Sequence, residues 1–262
     1  MRKRIAVVLL AGLLLAAGCR DREVEPDLSA YTVGPAEIPL EIWGELEEET
    51  RQALTEEPKY VALTFDDGPR ADTTSLLLNG LLERGVSATF FVIGEQIAGN
   101  ESLLLRMKAE GHQVGNHTYS HVRLLTAEKN TRIEEIQKTE VLLEEILGKG
   151  SYWLRPPYGL ISAKQAREVR TPMIYWSLDP EDWKLLHAEK VVSYVVAHVQ
   201  PGDIILLHDF YPSSVDAALE IIDKLQPQGY TFVTVEELFR IQNVTPQAGT
   251  LYATPEQIRT PS

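Results

Sequence analysis

The chain has 262 residues, 44% hydrophobic and 24% charged, a globular composition with enough apolar material for a core. Its 25 Lys and Arg stand against 38 Asp and Glu, a formal charge of -13, so the basic footprint that nucleic acid requires is missing and no such partner is expected. A single cysteine excludes an intramolecular disulfide and a four-cysteine zinc site, leaving histidine and carboxylate to hold any metal.

The chain opens with Arg2, Lys3 and Arg4, then an apolar run over residues 5–17. That run is shorter than the roughly 20 residues that span a bilayer, and with the small residues Ala16, Ala17 and Gly18 it reads as a secretory signal peptide. Cys19 follows at once, and the junction resembles a bacterial lipobox, although Ala16 stands third before Cys19 where leucine is usual. Residues 1–18 are therefore expected to be removed. Cys19 would be lipidated, anchoring an extracytoplasmic protein to the membrane; ordinary cleavage would give a secreted one. Residues 19–57 read as an acidic tether: from position 20 they hold 12 acidic and 3 basic side chains with Pro26, Pro35 and Pro39. Within it, Leu40 to Trp43 form an apolar patch that has the composition to dock on a domain.

From residue 59 the pattern alternates. Apolar strand-like runs are expected at 60–65, 88–93, 113–116, 152–154, 173–178, 203–207 and 230–233. Helical periods are expected at 73–84, 101–110, 127–147, 162–170, 188–199 and 215–225, several ended by glycine. Strict alternation implies parallel βα units, and about seven of them in this length suit an α/β fold closed as a distorted (β/α) barrel. The domain is expected over 58–241, with a polar, proline-rich tail at 242–262 only loosely ordered.

In parallel α/β folds chemistry collects at the C-terminal strand ends. Here the first strand runs into Asp66, Asp67, Gly68 and Pro69; taken alone, a helix-capping turn explains them equally well. After the third come His117 and His121, whose i, i+4 spacing puts two imidazoles on one face if the segment is helical. His112, His187 and His198 fit structural uses better. Arg155 is followed by two prolines and Tyr158, Asp179 to Trp183 form an acidic loop, and His208 ends an apolar strand. Each of these also has a plain structural reading.

Their order and spacing together are specific. Thr64 to Pro69, His117 to His121, Arg155 to Tyr158, Asp179 to Trp183 and Leu206 to His208 resemble, in sequence, the five motifs of the polysaccharide deacetylases, carbohydrate esterase family 4, the NodB homology domain. The resemblance runs over about residues 58–240 and implies a NodB-like distorted barrel. It also implies a division of labour. Asp67, His117 and His121 would bind a divalent metal, zinc first and cobalt second; the residues alone do not say which aspartate ligates. Asp66 would be the general base and Arg155 its partner. His208 would be the general acid with Asp182 beside it, the backbone N–H of Tyr158 would serve the oxyanion, and Trp183 and Leu206 would line the pocket for the acetyl methyl.

The expected reaction is removal of N-acetyl groups from a hexosamine polymer. An exported protein beside the wall points first to peptidoglycan. Chitin oligomers, an exported poly-N-acetylglucosamine and O-acetyl xylan are the alternative acetylated glycans. An idle glycan-binding wall protein and a small-amide amidase are the readings from other classes.

Overall fold

The computed structural model describes residues 58–261. The expected signal peptide, Cys19, the acidic tether and the patch at Leu40 to Trp43 lie outside the described residues. No helix of the described residues is long and apolar enough to cross a membrane.

The central strand is β1 (Lys59–Asp66). It pairs in parallel with β2 (Thr89–Val92), which pairs with β3 (Gln113–Asn116). It also pairs with β5 (Ile204–His208) in a register that sets Asp66 against His208, and with β6 (Tyr230–Phe232) through its first three residues. Beyond β3, Leu154 bridges Asn116 to Met173 of β4 (Met173–Ile174), and Leu178, four residues past β4, bridges to Ile205 of β5. The segment from Met173 to Leu178 thus links the two open edges, and the sheet curls into the expected distorted barrel.

Helices α1 (Thr73–Glu83), α2 (Glu101–Ala109), α3 (Lys129–Leu147), α6 (Ala188–His198) and α7 (Pro212–Leu225) follow the periodicity of the sequence within a few residues at each end. The expected helix at 162–170 shrinks to α4 (Ala163–Ala166). Two short helices, α5 (Asp182–Leu185) and α8 (Val235–Ile241), were not expected. Asp72 caps α1 by accepting the Thr73 N–H, so the capping reading of the Asp66–Asp67 pair is not needed.

Strand alternation sorts the core into two layers. Val61, Leu63 and Phe65 of β1, Phe90 and Val92 of β2, and Ile205 and Leu207 of β5 pack with Leu77, Leu81, Met107, Val195 and Ile221 of the helices. The opposite faces supply Ala62, Phe91 and Ile204, which pack with Trp153, Ile174, Phe239 and Tyr252. Continuing up those inward faces, β1 presents Thr64 and Asp66 while β5 presents Leu206 and His208. The period of two therefore delivers an acid and an imidazole side by side at the barrel mouth.

The tail corrects an expectation. Residues 242–262 are not loosely ordered throughout: β7 (Leu251–Thr254) pairs in parallel with β4, and β8 (Gln257–Ile258) pairs antiparallel with β7. Leu251 and Tyr252 are buried, and the Tyr252 ring meets Phe239 edge-on at 5.1 Å. Two apolar residues in a polar stretch are too few to show a period, yet they suffice to cover the free edge of β4.

Candidate active site

Asp66 and Asp67 reach the mouth together because the strand stops between them. Asp66 keeps the inward direction of β1, and Asp67 turns into the left-handed region (φ 77°) instead of pointing to the opposite face. Asp66 is buried and accepts from Arg155 Nη1 at 2.8 Å. The same nitrogen donates to Thr64 Oγ1 at 2.7 Å, Nε donates to the Ile174 carbonyl at 3.3 Å, and Nη2 donates to the Tyr175 carbonyl at 2.8 Å. The guanidinium lies 4.1 Å from the centre of the Phe91 ring. Burial pushes the Asp66 carboxyl up, but Arg155, His117 and His208 together outweigh it and hold its pKa below the ordinary aspartate value.

His117 leaves the end of β3 and sets its Nδ1 2.7 Å from the Arg155 carbonyl. A carbonyl only accepts, so Nδ1 carries the proton and the Nε2 lone pair is free. That Nε2 lies 3.6 Å from Asp67 Oδ1 and 3.5 Å from Asp66 Oδ2. His121 Nε2 lies 3.5 Å from the same Asp67 oxygen. One ligand atom from each of Asp67, His117 and His121 lies within 4.8 Å of the others. The two histidines do not meet on a helix, as their spacing alone suggested; Thr118 (φ 66°) and His121 (φ 57°) fold the segment into a tight loop that achieves the same convergence. Burial and the neighbouring His117 lower the pKa of His121, which favours the neutral imidazole that ligates. Asp67 Oδ1 is buried with no hydrogen-bond donor, an acceptor in want of a cation. Two imidazole nitrogens and one carboxylate oxygen are the donor set for a divalent ion with positions left open, so the residues fit a metal.

On the other side of Asp66 stands His208. Its Nδ1 is 2.8 Å from Asp182 Oδ1, and its backbone N–H donates to Asp182 Oδ2 at 2.8 Å. Asp182 opens α5, which the chain enters through left-handed Glu181 (φ 53°). Burial works against the imidazolium, but the bond and charge of Asp182, aided by Asp66 and Asp67, lift the His208 pKa to about 9. A folded-state pKa above the free value of 6.5 contributes stability that is whole below that value and is lost as pH rises through about 9. Asp182→Asn is expected to move the alkaline limb of the kcat/KM profile down by about one pH unit or more. An unmoved limb in a pH titration of the variant would separate that limb from this pair.

The remaining expected residues lie around these groups. Tyr158 sits in a single 3-10 turn with left-handed backbone (φ 61°), and its half-exposed ring meets the His121 ring at 4.7 Å. Leu206 is buried on the inward face of β5, whereas Trp183 is 48% exposed on α5. Two side chains carry roles that sequence reasoning did not assign. Thr64 donates to the Ile205 carbonyl at 2.7 Å while accepting from Arg155, tying β1 to β5 under Asp66. Asp209, next to His208, is fully buried beneath the Asp67–Gly68 turn and accepts from Thr74 Oγ1. Any Cβ at position 68 would collide with its carboxylate, so glycine is required there. Burial, against the Thr74 bond, pushes the Asp209 pKa up to about 7. A carboxylate following the last motif histidine was the available signal. Two recesses of about 1000 and 610 Å³ are lined by other residues, so chemistry rather than cavity size marks this site.

The barrel carries at its mouth an Asp-His-His cluster that fits a divalent metal, flanked by an Arg-held aspartate and an Asp-held histidine, and this combination defines the class of site. The comparisons agree with it. A family model described as polysaccharide deacetylase matches residues 53–172. The peptidoglycan-N-acetylmuramic acid deacetylase PdaC of Bacillus subtilis (strain 168) is 40% identical over 184 residues, covering 70% of this chain and 39% of that protein. This chain thus spans about two fifths of that relative's length. A peptidoglycan-N-acetylglucosamine deacetylase of Bacillus cereus is 36% identical over 193 residues, 71% of this chain and 90% of that one. The solved family 4 acetyl xylan esterase of Clostridium thermocellum, in complex with a cobalt ion, superposes with a TM-score of 0.72 at 31% identity, covering 76% of this chain and all (100%) of that one. The chain belongs to the polysaccharide deacetylase family, carbohydrate esterase family 4.

Proposed function

We propose that this protein is a metal-dependent hydrolase that removes N-acetyl groups from a hexosamine polymer outside the cytoplasm, with peptidoglycan as the first substrate. The observation that carries the reading is the convergence of Asp67, His117 and His121 beside Asp66, with His208 paired to Asp66 on its other side. Relatives whose names specify peptidoglycan deacetylation support the substrate class. Asp67, His117 and His121 hold the divalent ion, zinc by the chemistry of the donor set and cobalt as its nearest substitute. When bound, that ion supplies Lewis acidity to the attacking water and to the acetyl carbonyl.

The chain's own groups do the rest. Asp66 takes a proton from the water, and Arg155 keeps it ionised for that task. The Tyr158 backbone N–H steadies the developing oxyanion. His208 gives its proton to the amine nitrogen as the C–N bond breaks, and Asp182 keeps that proton on the imidazole until then. Leu206 and Trp183 shield the acetyl methyl. The products are acetate and a free amino sugar. The mature protein works from the membrane through a lipid on Cys19, or is released if cleavage is of the ordinary kind; mass spectrometry of residue 19 from the native host distinguishes the two.

The test is acetate release from peptidoglycan, chitin oligomers, poly-N-acetylglucosamine, acetylated xylan and small amides. A preference for acetylated xylan would favour the ester-cleaving reading, which the cobalt-bound relative's name supports. Chelation is expected to abolish release, and added zinc or cobalt to restore it. His121→Ala is expected to lose the metal, whereas His208→Ala keeps it and loses about 10²- to 10⁴-fold in kcat. Activity that survives exhaustive chelation, or equal metal loss in both variants, overturns this division of roles.

A further inference from the structure

The loop from His117 to His121 carries both imidazoles, yet it is neither helix nor strand. Thr118 and His121 are left-handed, a conformation that is strained for a non-glycine residue and persists only when its surroundings fix it. Three consecutive backbone N–H groups of this loop end on side chains. That of Thr118 donates to Asn116 Oδ1 at 2.8 Å. Those of Tyr119 and Ser120 converge on one oxygen of Glu135, at 3.0 and 2.8 Å. The second Glu135 oxygen accepts from Ser120 Oγ at 2.8 Å.

Glu135 stands in the second turn of α3, fourteen positions beyond His121. One residue on, the Ile136 carbonyl accepts from Asn116 Nδ2 at 2.9 Å, so the same turn grips both the end of β3 and the loop that follows. The opposite side of the loop is held by the N–H groups of Gly94 and Glu95, which donate to the carbonyls of Thr118 and Tyr119 at 2.9 Å each. A Cβ at Gly94 would collide with the Tyr119 ring and with Thr139, so this contact is close-packed. Among the described residues Glu135 forms no ion pair with Lys, Arg or His; its carboxylate is spent on the loop. Hydrogen bonds to a carboxylate are about twice as strong as neutral ones, which makes this clamp a strong tie between loop and scaffold.

We propose that Glu135 is the positioning residue of the metal centre, fixing the Tyr119–Ser120 backbone so that His121 presents Nε2 to Asp67 opposite His117. The inference rests on the metal-binding reading above. His117 has independent support from β3 and from the Arg155 carbonyl, so the loss falls chiefly on His121.

Glu135→Ala removes the acceptor of both backbone N–H groups, and Ser120→Ala removes only the hydroxyl bond. The measurement is zinc affinity of the full chain by competition with a chromogenic chelator, alongside thermal unfolding of the metal-free protein. Glu135→Ala is expected to bind zinc about 10- to 100-fold more weakly, the usual range for a group that orients a ligand. Its metal-free unfolding temperature is expected to stay close to that of the parent. Ser120→Ala is expected to lose about 2- to 10-fold, the worth of a single hydrogen bond. Parental affinity in Glu135→Ala overturns the proposal; if that variant does not fold, parental affinity in Ser120→Ala overturns it. A parent chain that takes up no zinc, like His121→Ala, overturns the metal centre itself and the proposal with it.

Discussion

Asp66→Asn is expected to lower kcat by about 10³- to 10⁴-fold, at the upper end of what general acid–base catalysis contributes, while the chain still binds zinc. Asparagine has the shape of the aspartate, and its carbonyl can still accept from Arg155 Nη1. What it lacks is basicity. The proposed metal ligands Asp67, His117 and His121 are untouched, so metal content by mass spectrometry should match the parent. Because Asp66 is held below the ordinary aspartate value, the parent should keep its base ionised throughout the neutral range and lose activity only in acid. Its negative charge also helps to raise His208, so in the variant the imidazolium becomes a stronger acid and any residual activity should lose its alkaline limb at lower pH. A variant retaining more than about a tenth of parental kcat would move the base elsewhere, since loss of a true base costs at least about 10²-fold.

How far the sequence reached depends on the interaction involved. Helices α1, α2, α3, α6 and α7 were legible because each packs one apolar stripe on the barrel and stops just before a glycine or a proline. The expected strand at 173–178 was legible as apolar but pairs as a strand for only two residues. The reason is Arg155: the carbonyls of Ile174 and Tyr175 turn to its guanidinium instead of to a neighbouring strand. Helix α8 escaped although Thr234 and Glu237 form a capping box at its start, because seven residues show too little period. At the site, the motif residues Asp66, Asp67, His117, His121, Arg155, Asp182 and His208 all converge. Nothing in spacing alone pairs Asp182 with His208, 26 positions apart. That meeting follows from β5 ending beside α5. Glu135 gave no signal at all, being one of five glutamates on an amphipathic helix. A side chain that acts by holding another segment's backbone leaves no pattern along its own.

Arg155→Met is the second large effect, and it is expected in stability as well as rate. The guanidinium is completely buried, with all three nitrogens engaged. Methionine fills much of the stem but returns none of those bonds. It leaves the Asp66 charge buried without its main partner, and breaking a buried pair from one side costs about 3–5 kcal/mol. The pH dependence gives the loss a signature. In the parent, Asp66 has a folded-state pKa below its unfolded one, so its contribution is present above the unfolded pKa and is lost as pH falls through the folded one. In the variant, burial, already the largest single influence, is opposed only by His117 and His208, and the folded-state pKa rises. Protonation then relieves the variant while it costs the parent. The stability gap measured by urea unfolding should therefore be widest near neutrality and narrow as pH falls into the carboxylate range. The acid limb of kcat/KM should rise in the same variant, because more acid-labile base means less active enzyme at a given pH. Arg155→Lys restores the charge without the planar fork and should fall between the two. A gap independent of pH would mean that Arg155 supports the fold by packing on Phe91 and capping carbonyls, and that Asp66 owes its ionisation to the two histidines instead.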